Sequence, residues 1–119
     1  MTNCYLPEGC LLHTPENEAR CTSPAALRRA MEQGELLEGT AVLCSAEHDL
    51  LVALGPFRGR IPREEAALGI AEGTTRDIAI LSRVGRPVCF TVEALETEHG
   101  VLCPRLSRRR AQQAAQTAL

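Results

Sequence analysis

Apolar and polar positions change rhythm twice along the chain, and the changes divide it into three stretches. Through Pro24, with Pro7, Pro15, Gly9 and several polar residues, no period appears. This predicts an irregular arm, tied to the core surface by Tyr5, Leu6, Leu11 and Leu12. A helix signal follows. Ser23 suits the N-cap and Pro24 the first helical position, AALRRAMEQ continues, and Gly34 ends it. Leu27, Ala30 and Met31 fall at i, i+3 and i+4, so one face is apolar. A helix this short needs a surface to pack on.

From Leu36 the period shortens to two. LLEGTAVLCSA reads as a strand, and Gly39 inside it marks a sharp bend of the sheet. Glu47-His48-Asp49 makes a turn, and DLLVALG is the next strand. Leu50, Val52 and Leu54 lie on one face, Leu51 and Ala53 on the other. Gly55-Pro56 turns into a third short strand, FRGRIP. REEAALGIAEG predicts a short helix, its acids suited to the positive N-terminal end. In TRDIAILSRVG, Ile78 and Ile80 alternate like a strand, while Ile78, Leu81 and Val84 fit a helical face equally well. PVCFTVEAL is the clearest strand, with Val88, Phe90 and Val92 on one side. Glu96 to Gly100 forms a hairpin, and VLCPRLS returns with Pro104 marking an edge or bulge. RRRAQQAAQTAL reads as a C-terminal helix capped by Ser107.

Three strands, a helical insertion and two more strands is the order of a five-stranded Greek-key barrel. The expected fold is therefore mainly β: an OB-type barrel with a short N-terminal helix and a C-terminal helix. Its expected core is Val42, Leu50, Val52, Leu54, Ile61, Val88, Phe90 and Val92. The expected division is an arm and helix over 1–35, the barrel over 36–107, and a C-terminal helix or linker over 108–119. At 119 residues, one domain with an extension is what the length allows.

Composition narrows the chemistry. Net charge is −2, but it is unevenly spread: residues 1–49 carry −5 and residues 50–119 carry +3. All thirteen basic residues are Arg. Tyr5, Phe57 and Phe90 are the only aromatic residues, which limits any function built on base stacking. Cys44, Cys89 and Cys103 sit in apolar runs, where a thiol acts as a small hydrophobe. The N-terminus lacks a basic start followed by an apolar stretch, and no run of 18 apolar residues exists. The six cysteines are accordingly read as free thiols of a cytoplasmic protein. Cys4, Cys10, His13 and Cys21 do not follow paired zinc-ligand spacing, so no metal or other cofactor is expected. No phosphate-binding loop, nucleophile elbow or dinucleotide fingerprint is present, and nothing reads as catalytic.

From Gly39 to Arg109 the chain resembles the RNA-binding domain repeated in ribosomal protein "S-one". The resemblance rests on EGTAVL, DLLVALGPFRGRIPREE, VGRPVCFTVEALE and LSRR, in that order, with Gly85 before the fourth strand and Leu106-Ser107-Arg108 at the close. IPREEAALGIAEGTTRDIAILSRVGRPVCF is similar to the N-terminal domain of "S-one"-like proteins of Firmicutes. There a second repeat often follows, so the resemblance implies a longer protein. Two positions depart from the family. Leu51 and Pro62 stand where members carry the stacking aromatics or a histidine. Stacking contributes about 1–3 kcal/mol per base, so the departures imply binding weakened by roughly a hundredfold or more.

The resemblance implies a non-catalytic module that binds single-stranded RNA or the ribosome weakly. The expected contact face is the second and third strands with the loop before the fourth: Leu51, Phe57, Arg58, Arg60, Arg63, Arg83, Arg86 and Arg108. Arg offers bidentate reach and planar stacking. The bland alternative is a solvated rim paired with Glu64, Glu65, Asp77 and Glu93. The rival function is a protein-interaction or scaffold module on a barrel that has lost its stacking residues.

Overall fold

A computed structural model describes residues 8–67, 69–70, 73 and 76–118. Two helices come first, α1 (Pro15–Arg20) and α2 (Pro24–Gln33), followed by β1 (Leu37–Cys44), β2 (Leu50–Leu54) and β3 (Phe57–Ile61). A single 3-10 turn, Arg63–Glu65, and α3 (Ile78–Leu81) lead to β4 (Pro87–Glu98), β5 (Val101–Ser107) and α4 (Arg108–Ala118). The strands close in the order β1-β2-β3-β5-β4, with β4 paired to β1 and β3 parallel to β5. That is an OB-type Greek-key barrel.

Two glycines permit the closure. A Cβ on Gly39 would lie 2.4 Å from the Ala53 carbonyl oxygen and 2.8 Å from Val52 Cγ1, so only glycine lets β1 coil this tightly over β2. At Gly59 a Cβ would meet Leu106 Cδ1 at 2.7 Å, where β3 presses on β5. Leu50, Val52, Leu54, Ile61, Val88, Phe90 and Val92 fill the interior as expected. Leu27 and Ala30 of α2 join the same core. Ser23 caps α2 by accepting from Ala26 N at 3.1 Å, and Gly34, at φ 64°, ends it.

Several expectations are corrected. Val42 is not core but 38 % exposed: a bulge between Ala41 and Leu43 shifts the alternation, burying Ala41 and turning Val42 and Leu43 outward. The arm is not wholly irregular. Thr14 Oγ1 accepts from Asn17 N and opens α1, whose Asn17 side chain then bonds both the N–H and the carbonyl of Glu38 in β1. Leu11 and Leu12 are half-buried; Tyr5 and Leu6 lie outside the described residues. In 63–73 the described residues show only the 3-10 turn. The ambiguous stretch becomes α3, with Ile80 buried and Ile78 exposed. The hairpin expected over Glu96–Gly100 narrows to His99-Gly100, both at positive φ, as a two-residue turn between twisted strands demands. Pro104 is buried inside β5, paired with Leu95, close to a bulge in β4 between Val92 and Ala94.

Candidate nucleic-acid interface

The antiparallel β2–β3 ladder sets Leu51 opposite Arg60 and Ala53 opposite Arg58, and all four belong to the outward-facing phase of their strands. The parallel β3–β5 rung sets Arg60 beside Arg105. One row therefore crosses the barrel wall as Leu51, Arg60, Arg105. Arg58 is exposed and has no ionic partner among the described residues, while Arg105 reaches Glu96 at 3.4 Å. Like charges side by side on a sheet are unfavourable. They persist here because acids from neighbouring segments, Asp49 of the β1–β2 turn and Glu96 of β4, partly neutralise them.

One border of this face is a network of ion pairs. Asp49 Oδ2 accepts from Arg60 Nη1 at 3.2 Å, and its Oδ1 from the Arg63 backbone N–H at 2.8 Å. Asp77 takes both arms of Arg63, Nε at 2.8 Å and Nη2 at 2.6 Å, and also pairs with His48 Nδ1. The Arg63 fork, helped by His48, holds the Asp77 carboxyl well below the usual carboxylate range. His48 reaches Asp77 from the β1–β2 turn with a left-handed backbone, φ 68°, which is costly for a non-glycine residue.

The remaining sequence candidates go elsewhere. Phe57 shares the inward phase of Gly59 and Ile61 and packs on the core margin. Arg86, just before β4, lies against β1 rather than β3: its carbonyl accepts from Ala41 N at 3.0 Å. Arg83 donates to the Pro87 carbonyl at 2.6 Å and to Glu8 at 3.2 Å. Arg108 is only 8 % exposed; its guanidinium holds Glu8 with two bonds of 2.6 and 2.7 Å and reaches the Ala66 carbonyl. Burial pushes the Glu8 carboxyl up, but Arg108, the Cys89 N–H and Arg83 together carry it below its ordinary value. The structure thus gathers Leu51, Arg58, Arg60 and Arg63, and separates Phe57, Arg83, Arg86 and Arg108 from them.

Of the expected acid partners, Asp77 pairs with Arg63 and Glu93 with Arg110, while Glu65 accepts from the Ser107 hydroxyl instead. Arg105 stands among the arginines at the close of the barrel, and its place beside Arg60 follows from the parallel β3–β5 pairing, a topological signal rather than a local one. Among the described residues no cluster of His, Cys, Asp and Glu is arranged to hold a metal ion, and no helix is long and apolar enough to cross a membrane.

No protein-family model matches the chain, and no curated protein matches it. Solved structures do. GSP13 from Bacillus subtilis is similar at 26 % identity and TM-score 0.50, over 66 % of this chain and 56 % of that one. A chain of the a/eIF2alpha–aDim2p–rRNA complex from Pyrococcus horikoshii OT3 is similar at 20 % identity and TM-score 0.50, over 71 % of this chain and 48 % of that one. The chain spans about half the length of the structures it matches.

Proposed function

We propose that this protein is a non-catalytic RNA-binding module of the "S-one" type that takes single-stranded RNA across the outer face of β2, β3 and β5, in cytoplasmic, ribosome-associated work. The row of Leu51, Arg60 and Arg105, with Arg58 beside it, carries the reading. Cations spaced along a strand face suit a phosphodiester backbone, and Leu51 with Ala53 offers an apolar rest for a base. A chain of like fold occurs in a complex that contains rRNA. With no aromatic on this face, binding is weak and nearly indifferent to base sequence. Titrating labelled single-stranded RNA at several salt concentrations tests the reading. Binding that falls steeply with salt and weakens in Arg60→Ala supports it; none at low salt rejects it.

A second reading rests on the bulge. Val42 and Leu43 stand 38 % and 52 % exposed, and Gly85 N donating to the Ala41 carbonyl brings the turn after α3 alongside them. With Ile78, Leu81 and Val84 also exposed, most of the exposed large apolar side chains among the described residues belong to β1, α3 and the turn after α3. That concentration favours a protein-interaction role should RNA binding fail.

A further inference from the structure

Besides the longer Arg105–Glu96 pair, two of the cations on the RNA face are occupied by acids of the chain's own. Asp49 and Asp77 come from different segments, the β1–β2 turn and the start of α3, yet converge on Arg60 and Arg63. Each is held in place from behind: Asp49 N donates to Ser45 Oγ at 3.1 Å, and His48 adopts its left-handed backbone while its ring engages Asp77. The Arg63–Asp77 pair is the planar, two-bond arrangement that a phosphate would make with the same guanidinium.

We propose that Asp49 and Asp77 are specificity-determining residues: tethered carboxylates that occupy the phosphate sites of Arg60 and Arg63 and yield them only to a strand carrying several linked phosphates. This rests on the RNA-binding reading above. The physical basis is effective concentration. A tethered group competes at millimolar levels or above, so a free phosphate must outbid each carboxylate separately. On a strand, the first displacement makes the second intramolecular, since the next phosphate is already beside its site. The device discriminates against mononucleotides and inorganic phosphate, and it lowers affinity for RNA in exchange.

Asparagine removes the charge at either position and keeps one of the two accepting oxygens, an amide NH2 standing where the other was. The test measures binding of a labelled oligouridylate of about 12 nucleotides at constant low ionic strength. It compares the wild-type chain with Asp49→Asn, Asp77→Asn and the double variant, with Arg60→Ala as the control for the face itself. Exposed ion pairs of this kind are weak, so each single variant binds about two- to fivefold more tightly and the double variant roughly tenfold. Inorganic phosphate replacing chloride at equal ionic strength displaces the oligouridylate from the double variant and not from wild type. Affinity unchanged or lowered in variants that melt like wild type overturns the proposal, because the acids would then only position the arginines. Should Asp77→Asn fail to fold, Asp49→Asn alone decides. Wild-type binding that Arg60→Ala weakens, without the gain in the Asn variants, rejects this inference and leaves the RNA-binding reading standing. Absence of binding in every form rejects the reading itself.

Discussion

Arg60 and Arg105 are direct neighbours across the one parallel rung of the barrel, although 45 residues of chain separate them. Each leans on an acid from another segment, Arg60 on Asp49 of the β1–β2 turn and Arg105 on Glu96 of the adjacent strand β4. The arrangement spends local stability on keeping two positive charges together at the surface, and it makes the pair the most informative place to probe binding.

Arg60→Ala and Arg105→Ala should each weaken binding of single-stranded RNA by about tenfold or less. Each should also reduce the slope of log affinity against log salt by about 0.7, the increment for one lost phosphate contact. Arg86→Ala, placed against β1 rather than β3, should leave both quantities near wild type. Anisotropy titrations at three salt concentrations measure all of this.

Arg108→Ala should act on stability instead. It leaves the Glu8 carboxylate with Arg83 and the Cys89 N–H as partners. The loss should therefore fall somewhat below the about 3–5 kcal/mol typical of a broken buried pair. Urea denaturation reads it directly, and a stable Arg108→Ala chain with lost RNA binding would contradict the structural role.

Phe90→Ala empties the centre of the barrel, where the ring is fully buried, and should cost about 3–5 kcal/mol. Gly39→Ala should cost about 1–3 kcal/mol. Gly59→Ala should cost less, because the first atom its Cβ meets is the movable end of Leu106 rather than a backbone carbonyl. The order Phe90, Gly39, Gly59 in urea midpoints is the check.

Half-buried Glu8 and buried Glu38 should pull stability in opposite directions with pH. Glu8 titrates below its ordinary value, so its contribution is present above the unfolded value near 4.5 and is lost as pH falls through the folded one. Glu38 is 3 % exposed, and burial, with Glu8 nearby, pushes its carboxyl up despite N–H donors from Gly9 and Leu11. Its contribution is fully present below 4.5 and is lost as pH rises through its folded value. Glu8→Gln should therefore flatten the acid limb of the stability profile. Glu38→Gln should remove a decline on the side above it. Urea midpoints across pH separate the two.

Five described cysteines, Cys10, Cys21, Cys44, Cys89 and Cys103, are free thiols, and Cys4 lies outside the described residues. Burial pushes Cys21 up to about 11 and Cys89 up to about 12, so neither forms thiolate near neutral pH. Timed alkylation followed by mass spectrometry should modify exposed Cys10 quickly, and Cys21 and Cys89 only once the chain unfolds.

The barrel was readable wherever alternation is undisturbed, as in Leu50–Leu54 and Val88–Val92, because a two-residue period has one solution when one face is buried. Val42 was not readable. A bulge inserts one residue into the count, and nothing in AVLC marks where it falls. Asn17, which anchors α1 to β1 through hydrogen bonds rather than apolar contact, leaves no hydrophobic signature either. On the candidate face, Leu51, Arg58 and Arg60 followed from the resemblance, and the phase of β2 and β3 turns all three outward. Arg108 was misplaced among them because an arginine after a strand looks the same whether it meets solvent or a carboxylate a hundred residues away.

That distance has a kinetic meaning. Glu8 and Arg108 stand 100 positions apart, so during synthesis the acid leaves the ribosome long before its partner exists. At about 5–20 residues per second the wait is roughly 5–20 s. Over that interval the arm has only part of its lock, and β4, once made, has β1 to pair with but waits for β5 and for Arg108. Closure of this barrel is a late event in the life of the nascent chain, and its slowest requirement is translation rather than diffusion.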